Sequence, residues 1–403
     1  MKSQKVLSFI FFLCLSVSLM AQGPWTQKAS LGGNARHRPF TFSIGSRGYL
    51  GCGWNGVTMY QDVWEYDPGS NSWMQKADYP TGPRLSPFGF SIGNKGYVGC
   101  GLDQNLYVQS DVHEYNPVTN TWTTKASWIG TPIFGGSSAV VNNIGYVMCG
   151  DDWDLGYWRH NEVYSYNPAT NSWTFTTTFP ADGRRDPCAF VVNNKIYVGT
   201  GSDNTYTDVG DWYEFNPANG VWTTKANFAG SPRSQAVAFG VNGKGYLGTG
   251  GQMDVQDFWE YDATLNTWTE VNSFPGQGRE NSASFVIGNL AYVACGTSGT
   301  NYSDCWEFNS NNMVGINENQ NLEMGSSVFP NPIVATAILK IENGNVNVEN
   351  ELSIFSSDGK CVMKKKFDGN ELEFSREGIS AGMYFYAVNT NGRKIASGKM
   401  LIQ

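Results

Sequence analysis

Between Asp151 and His160 the chain reads DDWDLGYWRH, and no other stretch of it gathers so much recognition chemistry. Trp153, Tyr157 and Trp158 offer flat aromatic faces, while Arg159 and His160 add charge and hydrogen-bond donors. Such faces beside polar groups suit sugar rings, and they also serve as anchors for protein partners. Arginines form a second set: Arg36, Arg84, Arg184, Arg233 and Arg279 each stand thirteen residues before a tyrosine of a recurring Tyr–Gly motif. Ringed around a channel, they would hold a carboxylate or phosphate through paired N–H donors. In the remaining repeat Ile133 takes the arginine's place, and Trp128 in the preceding loop is expected on the same face as the aromatic stretch, joining it as a ligand group. Asp62, Asp111, Glu162, Asp211, Asp257 and Asp304 recur with the same period. They are expected on the same face as the arginines, either neutralising them or working with them in proton transfer.

Conventional catalytic patterns are thin. The histidines are His37, His113 and His160, without the paired spacing of a metal site, and no nucleophile elbow occurs. No cofactor or metal is expected. A net charge of −8 argues against a nucleic-acid partner, which would require a concentrated basic surface.

The elements that position these residues are repeats. YLGCG, YVGCG, YVMCG, YVGTG, YLGTG and YVACG close on glycines spaced by 48, 49, 51, 49 and 46 residues. An aromatic series (Tyr66, Tyr115, Tyr166, Phe215, Tyr261, Phe308) is followed seven residues on by Trp73, Trp122, Trp173, Trp222 and Trp268. Each period holds four strand-like runs separated by turn residues, and such a sheet buries its faces by packing radially on its neighbours. The sixth period has Gly315 where its tryptophan should be, whereas Trp25 in GPWTQKA has no repeat ahead of it. The N-terminal run therefore closes the ring as the outer strand of the sixth blade. Reading the turns of such a blade, the approach to the inner strand and the loop after the second strand share one face. That face carries the arginines and the aromatic stretch.

Paired or near-paired glycines after the second strand, then an aromatic, six residues and a tryptophan, resemble the kelch signature over residues 23–309. One departure is that Gly-Cys-Gly or Gly-Thr-Gly mostly replaces the double glycine. The resemblance implies a six-bladed β-propeller. Kelch propellers include binding platforms, a sialic acid mutarotase and copper-dependent galactose oxidases, so the fold alone names no activity. It also implies that the arginine position contributes to ligand or partner contacts.

The remaining segments concern export. Residues 1–22 have the charged start and apolar core of a secretory leader, too short in the core to span a membrane well. An Asn-rich linker at 311–326 precedes alternating strands with Asp-Gly and Asn-Gly turns over 327–403, which read as a small β-sandwich. This stretch resembles the C-terminal sorting domain of type IX secretion cargo. It does so through Pro330-Asn331-Pro332, Asp358-Gly359-Lys360, Gly382-Met383-Tyr384 and the final KMLIQ. The resemblance implies recognition by outer-membrane machinery and delivery to the surface or surroundings of a Gram-negative bacterium. Four cysteines (Cys52, Cys100, Cys149, Cys295) occupy equivalent places in different repeats and read as separate buried thiols. Cys295 and Cys305 are a candidate disulfide across a hairpin. The leading functional expectation is a module that binds a glycan or protein on its loop face, ahead of a sugar-converting enzyme or a structural scaffold.

Overall fold

The computed structural model describes residues 23–153, 156, 158–251, 255–313, 325–342, 349–356, 360–390 and 393–403. The expected leader, Tyr157 and most of the expected linker lie outside the described residues. The chain divides into two compact units between Gly315 and Ile316.

The first unit is six antiparallel four-stranded sheets, each a blade with strands a to d from the axis outward. In blade 1 these are Phe40–Ile44, Arg47–Gly51, Val63–Asp67 and Ser72–Lys76. Burial follows position. Strand a alternates, its Phe40, Phe42 and Ile44 packing away from the channel, and strand b is buried almost throughout, as a strand covered on both faces must be. Strand d is mostly exposed. Neighbouring blades meet through aromatic rings laid on bare backbone: Phe42 of blade 1 fills the space where a side chain at Gly96 of blade 2 would stand.

Blade 6 is completed by the N-terminal strand, as expected. Trp25–Lys28 pairs with Cys305–Phe308, with Trp25 opposite Phe308 and Lys28 opposite Cys305. Trp25 also behaves like the repeat tryptophans. Trp73, Trp122, Trp173 and Trp268 donate to Ala29, Ala77, Ala126 and Ala226 O of the preceding blade at 2.9–3.2 Å, and Trp25 donates to Asn272 O at 3.2 Å. Beside the Trp73, Trp122, Trp173 and Trp268 latches, a left-handed asparagine in the c–d turn joins the strand-c tyrosine to the same neighbour. Asn71, for example, accepts from Tyr66 Oη and from Ala29 N, each at 2.9 Å. Blade 4 loses both partners together, with Phe215 for the tyrosine and Gly220 for the asparagine, and Trp222 Nε1 there has no hydrogen bond.

The second unit is a β-sandwich. A three-stranded sheet (Ser326–Phe329, Thr336–Ile341, Glu371–Ser375) accompanies a four-stranded one (Cys361–Asp368, Glu349–Ser356, Gly382–Thr390, Arg393–Ile402). Ile333, Leu339, Ile354, Phe374, Val388 and Ile402 belong to its buried core. The motifs at the two ends of this unit meet. Asn331 Oδ1 accepts from Leu401 N at 2.8 Å, and Ile333 N donates to Leu401 O at 2.7 Å. Among the described residues no helix is long and apolar enough to cross a membrane.

Candidate functional site

The five repeat arginines are not open at the mouth, which corrects the expectation of a ligand-holding ring. Arg36, Arg84, Arg184, Arg233 and Arg279 are all buried and ion-paired to Asp62, Asp111, Asp211, Asp257 and Asp304 at 2.5–3.0 Å. The physical reason is local. Arg36 Nη1 also donates to Cys52 O at 3.0 Å, tying the approach to strand a to the exit of strand b. Cys52 sits there in the left-handed region (φ 61°), as do Cys100, Cys149, Thr200, Thr249 and Cys295. This is the backbone that a double glycine would otherwise provide. Each acid is held a second time by the side chain two residues on. Trp64, Trp259 and Trp306 donate to theirs at 2.7–2.8 Å, and His113 lies 3.0 Å from Asp111, so His113 serves the blade as the tryptophans do. Burial raises the Asp62 carboxyl, but hydrogen bonds and charge from Arg36 outweigh it and hold the group below the ordinary range.

Trp128 is also corrected from ligand group to core. It occupies the position held by Leu31, Tyr79, Phe179, Phe228 and Phe274 in the other blades, five residues before the arginine. Its ring lies edge-on to Trp173 at 4.9 Å, and its indole N–H donates to Thr131 O at 2.8 Å. With Ile133 replacing the arginine, the blade-3 acid is left to another partner: Glu162 lies 3.3 Å from His160 Nδ1. His160 Nε2 lies 3.3 Å from Asp152 but makes no hydrogen bond, so this histidine sits between two carboxylates in a half-buried position.

Cys295 and Cys305 are free, buried thiols, against the expected disulfide. The register places Ala294, not Cys295, opposite Cys305, and Cys295 turns out of the ladder at φ 62°. Burial pushes the Cys295 thiol up to about 12.

The mouth itself is lined by residues two positions after the arginines. Arg38, Ser86, Gly135, Asp186, Gln235 and Asn281 are all left-handed (φ 50–62°), and each amide donates to the carbonyl of the preceding member at 2.8–3.4 Å. Six backbone hydrogen bonds thus close a ring around the channel. Arg38 and Asp186 come from opposite blades, 1 and 4, and meet across it at 3.1 Å. Arg38 also donates to Ser86 Oγ at 3.1 Å and to the Gln235 amide oxygen at 2.8 Å, while Gln235 turns its nitrogen to Glu280 at 2.5 Å. A polar cavity of about 170 Å³ lies at this ring, and another of about 200 Å³ lines strand a below it.

Sequence reasoning passed over these residues because it looked for what repeats. The available signal was the opposite one: a position of constant spacing whose side chain changes in every blade. Around the mouth the b–c loops add exposed aromatics on three consecutive blades: Tyr107, then Trp153 and Trp158, then Tyr206. Of the fourteen tryptophans only Trp153 and Trp158 are exposed. Arg159, adjacent to them, is buried, with its guanidinium 4.3 Å above the Tyr206 ring.

Six radial blades, a closing N-terminal strand and a separate C-terminal sandwich define a kelch-type propeller joined to a sorting domain. Residues 135–314 match the KLHDC2/KLHL20/DRC7 Kelch-repeats domain, and residues 327–403 match the secretion system C-terminal sorting domain. The chain is thus a kelch propeller exported by type IX secretion to an extracellular or cell-surface location. Among solved structures it is similar to that of YjhT. That likeness has a TM-score of 0.60 and 17% identity, covers 68% of this chain and 95% of that chain, and concerns the fold alone. No curated protein matches the chain.

Proposed function

We propose that the exported propeller is a glycan-binding module whose ligand rests on the b–c loops of blades 2 to 4, beside the channel mouth. The observation that carries this reading is Trp158, 64% exposed, with Tyr107 and Tyr206 exposed on the flanking blades. A large apolar side chain left in water forgoes roughly 1.5–3 kcal/mol of burial, and in this propeller every other tryptophan except Trp153 avoids that cost. Stacking on a sugar face recovers it, while the polar mouth residues supply hydrogen bonds to hydroxyls. A glycan array probed with the purified protein tests the reading. Retained glycans should be lost, or weakened roughly tenfold, in Trp158→Ala. An array with no retained glycan, or binding untouched by Trp153→Ala and Trp158→Ala together, overturns it and leaves a protein partner as the occupant of these loops.

A further inference from the structure

We propose that the glycan is acidic, with Arg159 and Arg185 receiving its carboxylate or sulfate group; this rests on the glycan reading above. Charged side chains run in an alternating chain from the channel mouth to the aromatic loop. Arg38 meets Asp186 at 3.1 Å, Asp186 meets Arg185 at 3.7 Å, Arg185 meets Asp151 at 3.7 Å, and Asp151 meets Arg159 at 3.6 Å. Along this chain three guanidiniums alternate with two carboxylates, and Asp152 is a third acid close enough to act on Asp151. The Arg38 end is fully occupied by Asp186, Ser86 and Gln235.

The Arg159 end is not. Its side chain is buried, yet neither terminal nitrogen has a hydrogen-bond partner, and Asp151 Oδ1 also has none. At 3.6 Å the approach of Arg159 to Asp151 is too long for a hydrogen bond, unlike the 2.5–3.0 Å pairs of the repeat arginines. A buried guanidinium with idle donors is costly, so the arrangement favours an added oxyanion that can take both N–H groups. Asp152, the carboxylate next in sequence, is already engaged by Trp158 N at 2.7 Å.

Position links this charge to the aromatics. Arg159 directly follows Trp158, and its backbone is pinned to blade 4 by two hydrogen bonds with Asn204, at 2.9 and 3.2 Å. The guanidinium is covered on one face by the ring of Tyr206, itself 65% exposed, so a ligand reaching Arg159 must displace that ring. Arg185, 24% exposed, offers the approach from the mouth. A sugar stacked on Trp158 or Tyr206 therefore has a cationic receptor at its edge.

The test is an array presenting each oligosaccharide in acidic form (uronate or sulfate ester) and in matched neutral form (methyl ester or desulfated). The expected result is retention of acidic members over their neutral partners. Arg159→Gln and, separately, Arg185→Gln should each cut the acidic signal roughly tenfold while sparing any neutral binding. Arg185→Gln keeps the test valid should Arg159→Gln fail to fold. Equal retention of both forms, or an acidic preference that survives both substitutions, overturns the acidic assignment and leaves the glycan reading standing. No retention of any member removes the glycan reading and the assignment with it.

Discussion

Replacing Arg233 by methionine separates the structural account of the repeat arginines from a ligand-binding one. The side chain is 1% exposed and makes five hydrogen bonds: Nε to Ser231 O, Nη1 to Thr249 O and Asp257 Oδ1, and Nη2 to Ser231 Oγ and Asp257 Oδ2. Methionine keeps most of the volume over Phe228 but strands Asp257. Removing one partner of a buried ion pair costs about 3–5 kcal/mol; since Asp257 is 21% exposed and keeps the Trp259 indole N–H, the low end, about 3 kcal/mol, applies here. For a propeller of this size that is a fall in melting temperature of about 5 °C. All fourteen tryptophans lie between Trp25 and Trp306, so their fluorescence reports on the propeller without interference from the sorting domain. Adding Asp257→Asn should restore more than half of the loss, because the stranded charge goes while an acceptor for Trp259 remains. Blade 3 already shows a version without the arginine, with Ile133 in its place and Glu162 turned to His160. A single variant that melts with the wild type refutes the structural reasoning. So does a double variant that stays as low as the single one.

Three further outcomes follow from the same geometry. Trp158→Ala should leave the melting temperature within about 1 °C of wild type, because so exposed a ring contributes little to the fold; a drop of several degrees would mean the loop packs on itself. Ellman's reagent should label Cys361 of the native protein quickly. The buried thiols should react only after denaturation, when every cysteine outside the leader should be found; two missing thiols would mean that Cys295 and Cys305 are bridged. Asp62 and Asp111 bind protons more weakly folded than unfolded. Their ion pairs therefore stabilise fully above the unfolded value of 3.8 and lose that contribution as pH falls below it. Melting curves of the Arg36→Met variant should accordingly converge on wild type below about pH 4; a constant gap down to about pH 2 would contradict the pairing.

The fold was legible because it is built from residues that repeat for one reason each. The strand-d tryptophan latches a neighbouring blade and the strand-c tyrosine meets its left-handed asparagine, so their spacing alone gives six blades and places Trp25 in the last. Burial was not legible in the same way. An arginine at constant spacing reads equally as a ligand ring or as a buried clasp. What decides is the carbonyl of Cys52 and the carboxylate of Asp62 converging on Arg36 from elements that sequence cannot bring to a measured distance. Trp128 was misjudged for a similar reason: its neighbours in sequence are loop residues, while its role is set by the aromatic five residues before the arginine in every other blade.

A propeller separates these two kinds of residue by construction. Positions that hold blade to blade must repeat, because every interface presents the same problem. Positions facing a ligand on the axis are released from that demand, since a ligand without sixfold symmetry meets each blade differently. The ring of Arg38, Ser86, Gly135, Asp186, Gln235 and Asn281 keeps one backbone conformation and one hydrogen-bond pattern while its side chains share nothing. The blade-3 loop departs further, losing the clasp arginine and gaining Trp153, Trp158 and Arg159. Constant backbone with divergent side chains is thus the mark of the working face. The blade-3 loop, which departs from the repeat in side chain and in length, is accordingly where we propose that the ligand binds, with Arg159 at the end of the charge chain.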